Sequence, residues 1–126
     1  MKRLILIMAG VALLYGTQAF AVDSADFKAK TTRSLVNLCS VTWGDEEYEA
    51  AMGFCLGYVD AAMDYHRTIT SGDLVKPIAC PDGPVTRQEL VDVFLTWAKA
   101  HPELLDGESP IHGVMRAATD KWPCKK

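Results

Sequence analysis

Four cysteines, Cys39, Cys55, Cys80 and Cys124, stand in a chain of 126 residues whose first 21 read as an export signal. Met1-Lys2-Arg3 is basic, Leu4–Leu14 is an uninterrupted apolar and small run, and Ala19-Phe20-Ala21 supplies the small residues of a cleavage site. Those 11 apolar and small residues fall short of the ~20 that a permanent membrane helix needs. Cleavage after Ala21 is therefore expected, leaving Val22–Lys126 as one domain. Val22 rather than a cysteine would be the new N-terminus, so a lipid anchor is not expected.

Outside the cytoplasm an even set of cysteines in a small chain reads as two disulfides. A zinc site is the rival. The gaps between the cysteines are 15, 24 and 43 residues, with no C-x-x-C and no H-x-x-x-H, so no local chelating pair exists. Neither a metal nor another cofactor is expected, and an even count leaves no spare thiol for catalysis. Without Lys2 and Arg3, 11 basic side chains face 16 acidic ones. That balance argues against nucleic acid and against anionic membrane surfaces, both of which need clustered positive charge.

Apolar residues recur at helical spacing, and no segment alternates as a strand would. A first helix is expected from Asp23 or Ser24 to about Cys39, with Phe27, Thr31, Leu35 and Leu38 on one face. A second should run from about Asp45 to Thr68 and bury Tyr48, Ala51, Met52, Cys55, Tyr58, Val59, Ala62, Met63 and His66. Gly53 and Gly57 inside it each cost about 1 kcal/mol relative to alanine, which suggests close packing of a neighbouring helix there. Residues 70–85 form the longest connection, rich in turn residues. Thr86-Arg87-Gln88-Glu89 is a capping box, with Val85 and Leu90 placed as its hydrophobic staple. The third helix carries Val93, Phe94 and Trp97 and stops at His101-Pro102. Ser109 and Pro110 open the fourth, whose stripe is Ile111, Val114, Met115 and Ala118 and whose end is Trp122-Pro123.

The expected fold is thus all-α, a compact bundle of four main helices stapled by two disulfides. Four cysteines allow three pairings. The third and fourth helices form a short antiparallel hairpin, which brings Cys80 and Cys124 to one pole. That layout favours Cys80–Cys124 and leaves Cys39–Cys55.

No catalytic constellation can be nominated. His66, His101 and His112 stand singly and read as capping or surface residues. Asp60 and Asp64 read as a solvated helix face, with ion pairing to Arg67 or another helix. No phosphate-cradling loop, nucleophile elbow or H-E-x-x-H helix is present. A binding protein is favoured over an enzyme.

Phe54-Cys55-Leu56-Gly57-Tyr58-Val59-Asp60, Cys80-Pro81, Val85-Thr86 with Gln88, His101-Pro102-Glu103 and Trp122-Pro123-Cys124 follow one another in a familiar order. Together, from about Cys39 to Cys124, they resemble the Rap/Tai family of periplasmic immunity proteins that neutralise type VI secretion amidase effectors. The resemblance implies an all-α and commonly homodimeric protein in the periplasm. Its partner would be a peptidoglycan-cutting cysteine amidase whose cleft it covers with a loop and helix surface. The shared motifs map to scaffold, so contact residues are sought on exposed loops. The connection Thr70–Lys76 is the first candidate, its polar tip Ser71-Gly72-Asp73 entering the cleft and Lys76 closing the segment. The turn Asp106–Ser109 is the second. A rival function is that of a periplasmic stress or acid-protective chaperone, with the carboxylates as its pH trigger. A small-molecule binder or orphan enzyme is a third, for which no residue stands out.

Overall fold

Thr31, not Asp23 or Ser24, starts the first long helix in the computed structural model, which describes residues 22–125. The expected signal segment lies outside the described residues. Asp26–Lys28 makes only a single 3-10 turn, and Ala29 then takes a left-handed conformation, φ 44°, through which no helix continues. Thr31 is extended, and its side chain accepts the Ser34 N–H at 3.2 Å, opening α1 over Thr32–Cys39. Asp23 instead closes a tight turn ahead of that 3-10 turn, its carboxylate accepting the Ala25 N–H at 3.0 Å. Leu35 and Leu38 are fully buried as the periodicity predicts, but Thr32 joins them in place of Thr31.

The expected start of the second helix moves for a similar reason. Asp45 is held in a turn, its carboxylate accepting the Thr42 backbone N–H at 2.7 Å and the Thr42 hydroxyl at 3.0 Å. Gly44 at φ 103° completes that turn in a conformation suited to glycine. Helix α2 then spans Tyr48–Ile69. Ala51, Cys55, Val59, Ala62, Met63 and His66 are buried, while Tyr48, Met52 and Tyr58 are half-buried at the edge of the stripe. Gly53 and Gly57 do not mark a packing seam within the chain. Both are exposed, and a Cβ at either would meet nothing within 4 Å.

Helix α3, Arg87–Ala100, begins where predicted, with the Thr86 hydroxyl accepting the Glu89 N–H at 3.1 Å, but the return bond from Thr86 N–H to the Glu89 carboxylate that a full capping box has is not made. Leu90, Val91, Phe94, Trp97 and Ala98 are buried, and Val85 packs against the same cluster. A 3-10 turn at Pro102–Leu104 leads to α4, Pro110–Lys121. Ser109 occupies the N-cap but makes no side-chain capping bond. Ile111, expected in the buried stripe, is 36% exposed, and Pro110, Gly113 and Ala117 join Val114 and Ala118 in the interior.

The bundle closes through α1. Its first free N–H groups are satisfied by the α3–α4 connection: Thr32 N donates to Glu108 O at 2.8 Å and Arg33 N to Leu105 O at 2.9 Å. The Thr32 hydroxyl also bonds Ser109 O at 2.9 Å. Gly113 is the glycine that this approach requires, since a Cβ there would lie 2.3 Å from Thr32 Cγ2 and 3.2 Å from Phe94 Cε2. Both favoured disulfides are present. Cys39–Cys55 ties the end of α1 to α2, and Cys80–Cys124 ties the long connection to the end of α4. Beside the second bridge Ala79 pairs with Pro123 in an isolated antiparallel bridge; the described residues form no β-strand.

Candidate functional site

Helix α2 is 22 residues long and delivers its C-terminus and the following connection to one pole of the bundle. There Thr70 and Ser71 serve the helix end. The Thr70 hydroxyl donates to His66 O at 2.8 Å, and the Ser71 hydroxyl donates to Thr68 O at 2.9 Å, satisfying carbonyls that the helix leaves open. Gly72 and Asp73 form an exposed tip, and Lys76 is exposed beyond it. The five expected residues are therefore contiguous, but two of them have their hydroxyls committed to capping.

What dominates this pole is apolar. Among the described residues seven large hydrophobic side chains stand exposed, and five of these fall between Tyr65 and Ile78. Tyr65 is 66% exposed, Ile69 39%, Leu74 99%, Val75 44% and Ile78 53%. Tyr65 and Ile69 are four apart on α2 and so share a face. Burying a side chain as exposed as Leu74 would gain about 1.5–3 kcal/mol, and the partly exposed ones less, so exposed apolar residues gathered in one stretch of chain make it a candidate interaction surface. Sequence reasoning passed over these residues. The signal was Leu74-Val75 and Ile78, apolar residues set inside a turn-rich connection.

The connection is held at its far end. The Ile78 backbone N–H donates to His66 Nε2 at 3.1 Å. His66 is 7% exposed, and burial holds its imidazole below the ordinary 6.5, so the ring is a neutral acceptor at neutral pH. A recess of about 400 Å³ opens beside it, floored by Met63 and Leu90 and edged by Asp60, Arg67 and Asp82. Asp60 is engaged by Arg87 at 2.8 Å, and Asp64 by Arg67, so both carboxylates on that face have the ion-pair roles expected of them.

The second candidate, Asp106–Ser109, is largely committed to scaffold. Arg33 makes two bonds to Asp106, at 2.5 and 2.9 Å, and Arg116 makes two to Glu108, at 2.8 and 2.7 Å. The guanidinium groups hold the Asp106 and Glu108 carboxyls below their usual range. Glu108 and Ile78 nevertheless line one shallow depression along α4, with His112, Met115 and Thr119 between them. His101 stacks on Trp97, ring centres 5.0 Å apart, and lies 3.5 Å from Glu103. Among the described residues no group of His, Cys, Asp and Glu side chains is placed to hold a metal ion. No helix there is long and apolar enough to cross a membrane.

The family model described as Rap1a immunity proteins matches residues 31–124. The matched span runs from the cap of α1 to the last disulfide cysteine and includes the whole apolar pole. Comparison with curated proteins and with solved structures returned no match.

Proposed function

Because the chain belongs to the Rap1a immunity protein family, we propose that it protects its own cell from a cell-wall amidase delivered by type VI secretion. It does so by seating the 65–78 surface over the enzyme's active-site cleft. The observation that carries this reading is the exposure of five large apolar side chains, Tyr65 and Ile69 on the last turns of α2 and Leu74, Val75 and Ile78 in the disulfide-tied connection that follows. Leu74 and Val75 act as anchors, and Gly72, Asp73 and Lys76 form the polar rim around them, as a hot spot ringed by water-excluding contacts does. Inhibition is steric and stoichiometric, and the chain performs no reaction of its own.

The site of action is the periplasm, where such an amidase meets peptidoglycan. Two oxidised cysteine pairs suit that compartment, and the basic and apolar opening of the sequence supports export with cleavage after Ala21. An acid-triggered chaperone would hide its apolar surface until protonated, whereas Leu74 is already open to solvent.

The test is protection. Cells making a peptidoglycan amidase from a neighbouring gene in their periplasm should survive with this protein and lyse with L74D/V75D, at equal protein levels. Equal survival with both would remove the assigned surface. Lysis in both, with the purified amidase fully active beside the purified protein, would remove the function. Sedimentation of the protein alone shows whether a second copy occupies the same surface.

A further inference from the structure

His66 links two parts of the molecule that nothing else joins so directly. Between the Ser71 N–H, bonded to Thr68 O, and the paired backbone at Ala79–Cys80, the bond from Ile78 N to His66 Nε2 is the hydrogen bond that ties the apolar segment to α2 among the described residues. An imidazole accepts at Nε2 only when that nitrogen carries no proton. Protonation replaces the acceptor with a donor and points N–H at N–H across a part-buried contact, so the bond is lost.

We propose that His66 is a proton-sensitive latch that fixes the Leu74–Ile78 segment when neutral and releases it when charged. The proposal extends the reading of the 65–78 surface as the partner-binding surface. The charged groups around the ring are few. From α2 come Asp60 and Arg67, from the connection Asp82, and from α3 Arg87 through its bond to Asp60. Asp60 and Arg67 are already paired, with Arg87 and Asp64, so Asp82 is the carboxylate left facing the recess without an ion pair among the described residues. Burial lowers the pKa of the ring, and the folded state favours its neutral form. The sign follows: the latch is intact above the ordinary histidine value of 6.5 and is lost as pH falls from there through the lower folded value. One proton coupled to binding weakens affinity by at most about tenfold per pH unit in that window.

The experiment is a pH titration of the isotopically labelled protein alone by NMR, between pH 8 and 4.5, as wild type, H66Q and H66A. The expected result is His66 in the Nδ1–H tautomer at high pH. The amides of Leu74, Val75 and Ile78 should then shift, and Ile78 should lose exchange protection, along the titration curve of that ring. A glutamine carbonyl accepts the same N–H without titrating, so H66Q should keep Ile78 protected and flatten those curves. H66A should leave Ile78 unprotected throughout. Amide shifts that ignore the His66 curve, or that persist unchanged in H66Q, would overturn the latch. Because no partner is needed, a chain that fails to bind any amidase would sink the functional reading while this result still stood or fell alone.

Discussion

Three glycines with the same local cost have opposite consequences. Gly53 and Gly57 lie on the open face of α2, so replacing either with alanine should stabilise the chain by about 0.5–1 kcal/mol, the ordinary helix-propensity difference. Gly113 is pressed against Thr32 and Phe94, and G113A should destabilise by about 1–3 kcal/mol, the usual range for overpacking. Urea melts of the three variants check this, and a stabilised G113A would mean that α1 and α4 do not approach as described. Leu74 shows a different division between stability and use. It is 99% exposed, so L74D should change stability by no more than about 0.5 kcal/mol while abolishing the proposed inhibition. A sequence shows that glycine or leucine is present but not which face it occupies. That is why close packing was expected at Gly53 and Gly57 and found at Gly113, and why the loop was read by its polar tip.

Helix starts separate what is local from what is not. The Thr86 cap was legible because cap and partner lie within four residues and nothing distant competes, although the Glu89 half of the box is not formed. Asp23, Ser24 and Asp45 are equally good caps on paper, but Asp23 and Asp45 are bound into tight turns, and Ala29 and Gly44 break the chain before the helices begin. T86A and T31A should each cost about 1 kcal/mol in thermal or chemical denaturation, whereas S109A, whose hydroxyl caps nothing, should cost a few tenths at most. The α3–α4 connection makes its own forecast. Asp106 and Glu108 have folded pKa values below their ordinary 3.8 and 4.5, because Arg33 and Arg116 favour the ionised forms. Their stabilisation is present above those ordinary values and is lost as pH falls through the folded ones. Asp106 and both guanidinium groups are open to solvent and Glu108 is half-buried, so added salt should shrink that acid dependence, most of all at Asp106, and R33Q/R116Q should remove it.

At the scale of the molecule, one small core is held between two covalent ties of unequal accessibility. Cys39 and Cys55 are 3% and 0% exposed, whereas Cys80 and Cys124 are half-buried. Limited reduction followed by alkylation should therefore open Cys80–Cys124 first, and removing that bridge by C80A/C124A should cost about 2–4 kcal/mol. The pairing was readable from sequence because a short hairpin fixes which ends meet. The proposed binding surface rests on two different kinds of signal: the length and stapling of the connection could be read from the sequence, but the exposed apolar side chains could not, because exposure is encoded by no local pattern. A scaffold of this kind presents a preformed surface, so binding should order little beyond the 65–78 segment itself. Hydrogen exchange of the protein with and without the proposed amidase partner tests that account most directly. New protection concentrated in residues 65–78, with the rest of the bundle unchanged, is the predicted footprint. Protection centred instead on the Thr42–Asp45 turn or on the α3–α4 connection, with 65–78 still exchanging freely, would contradict it.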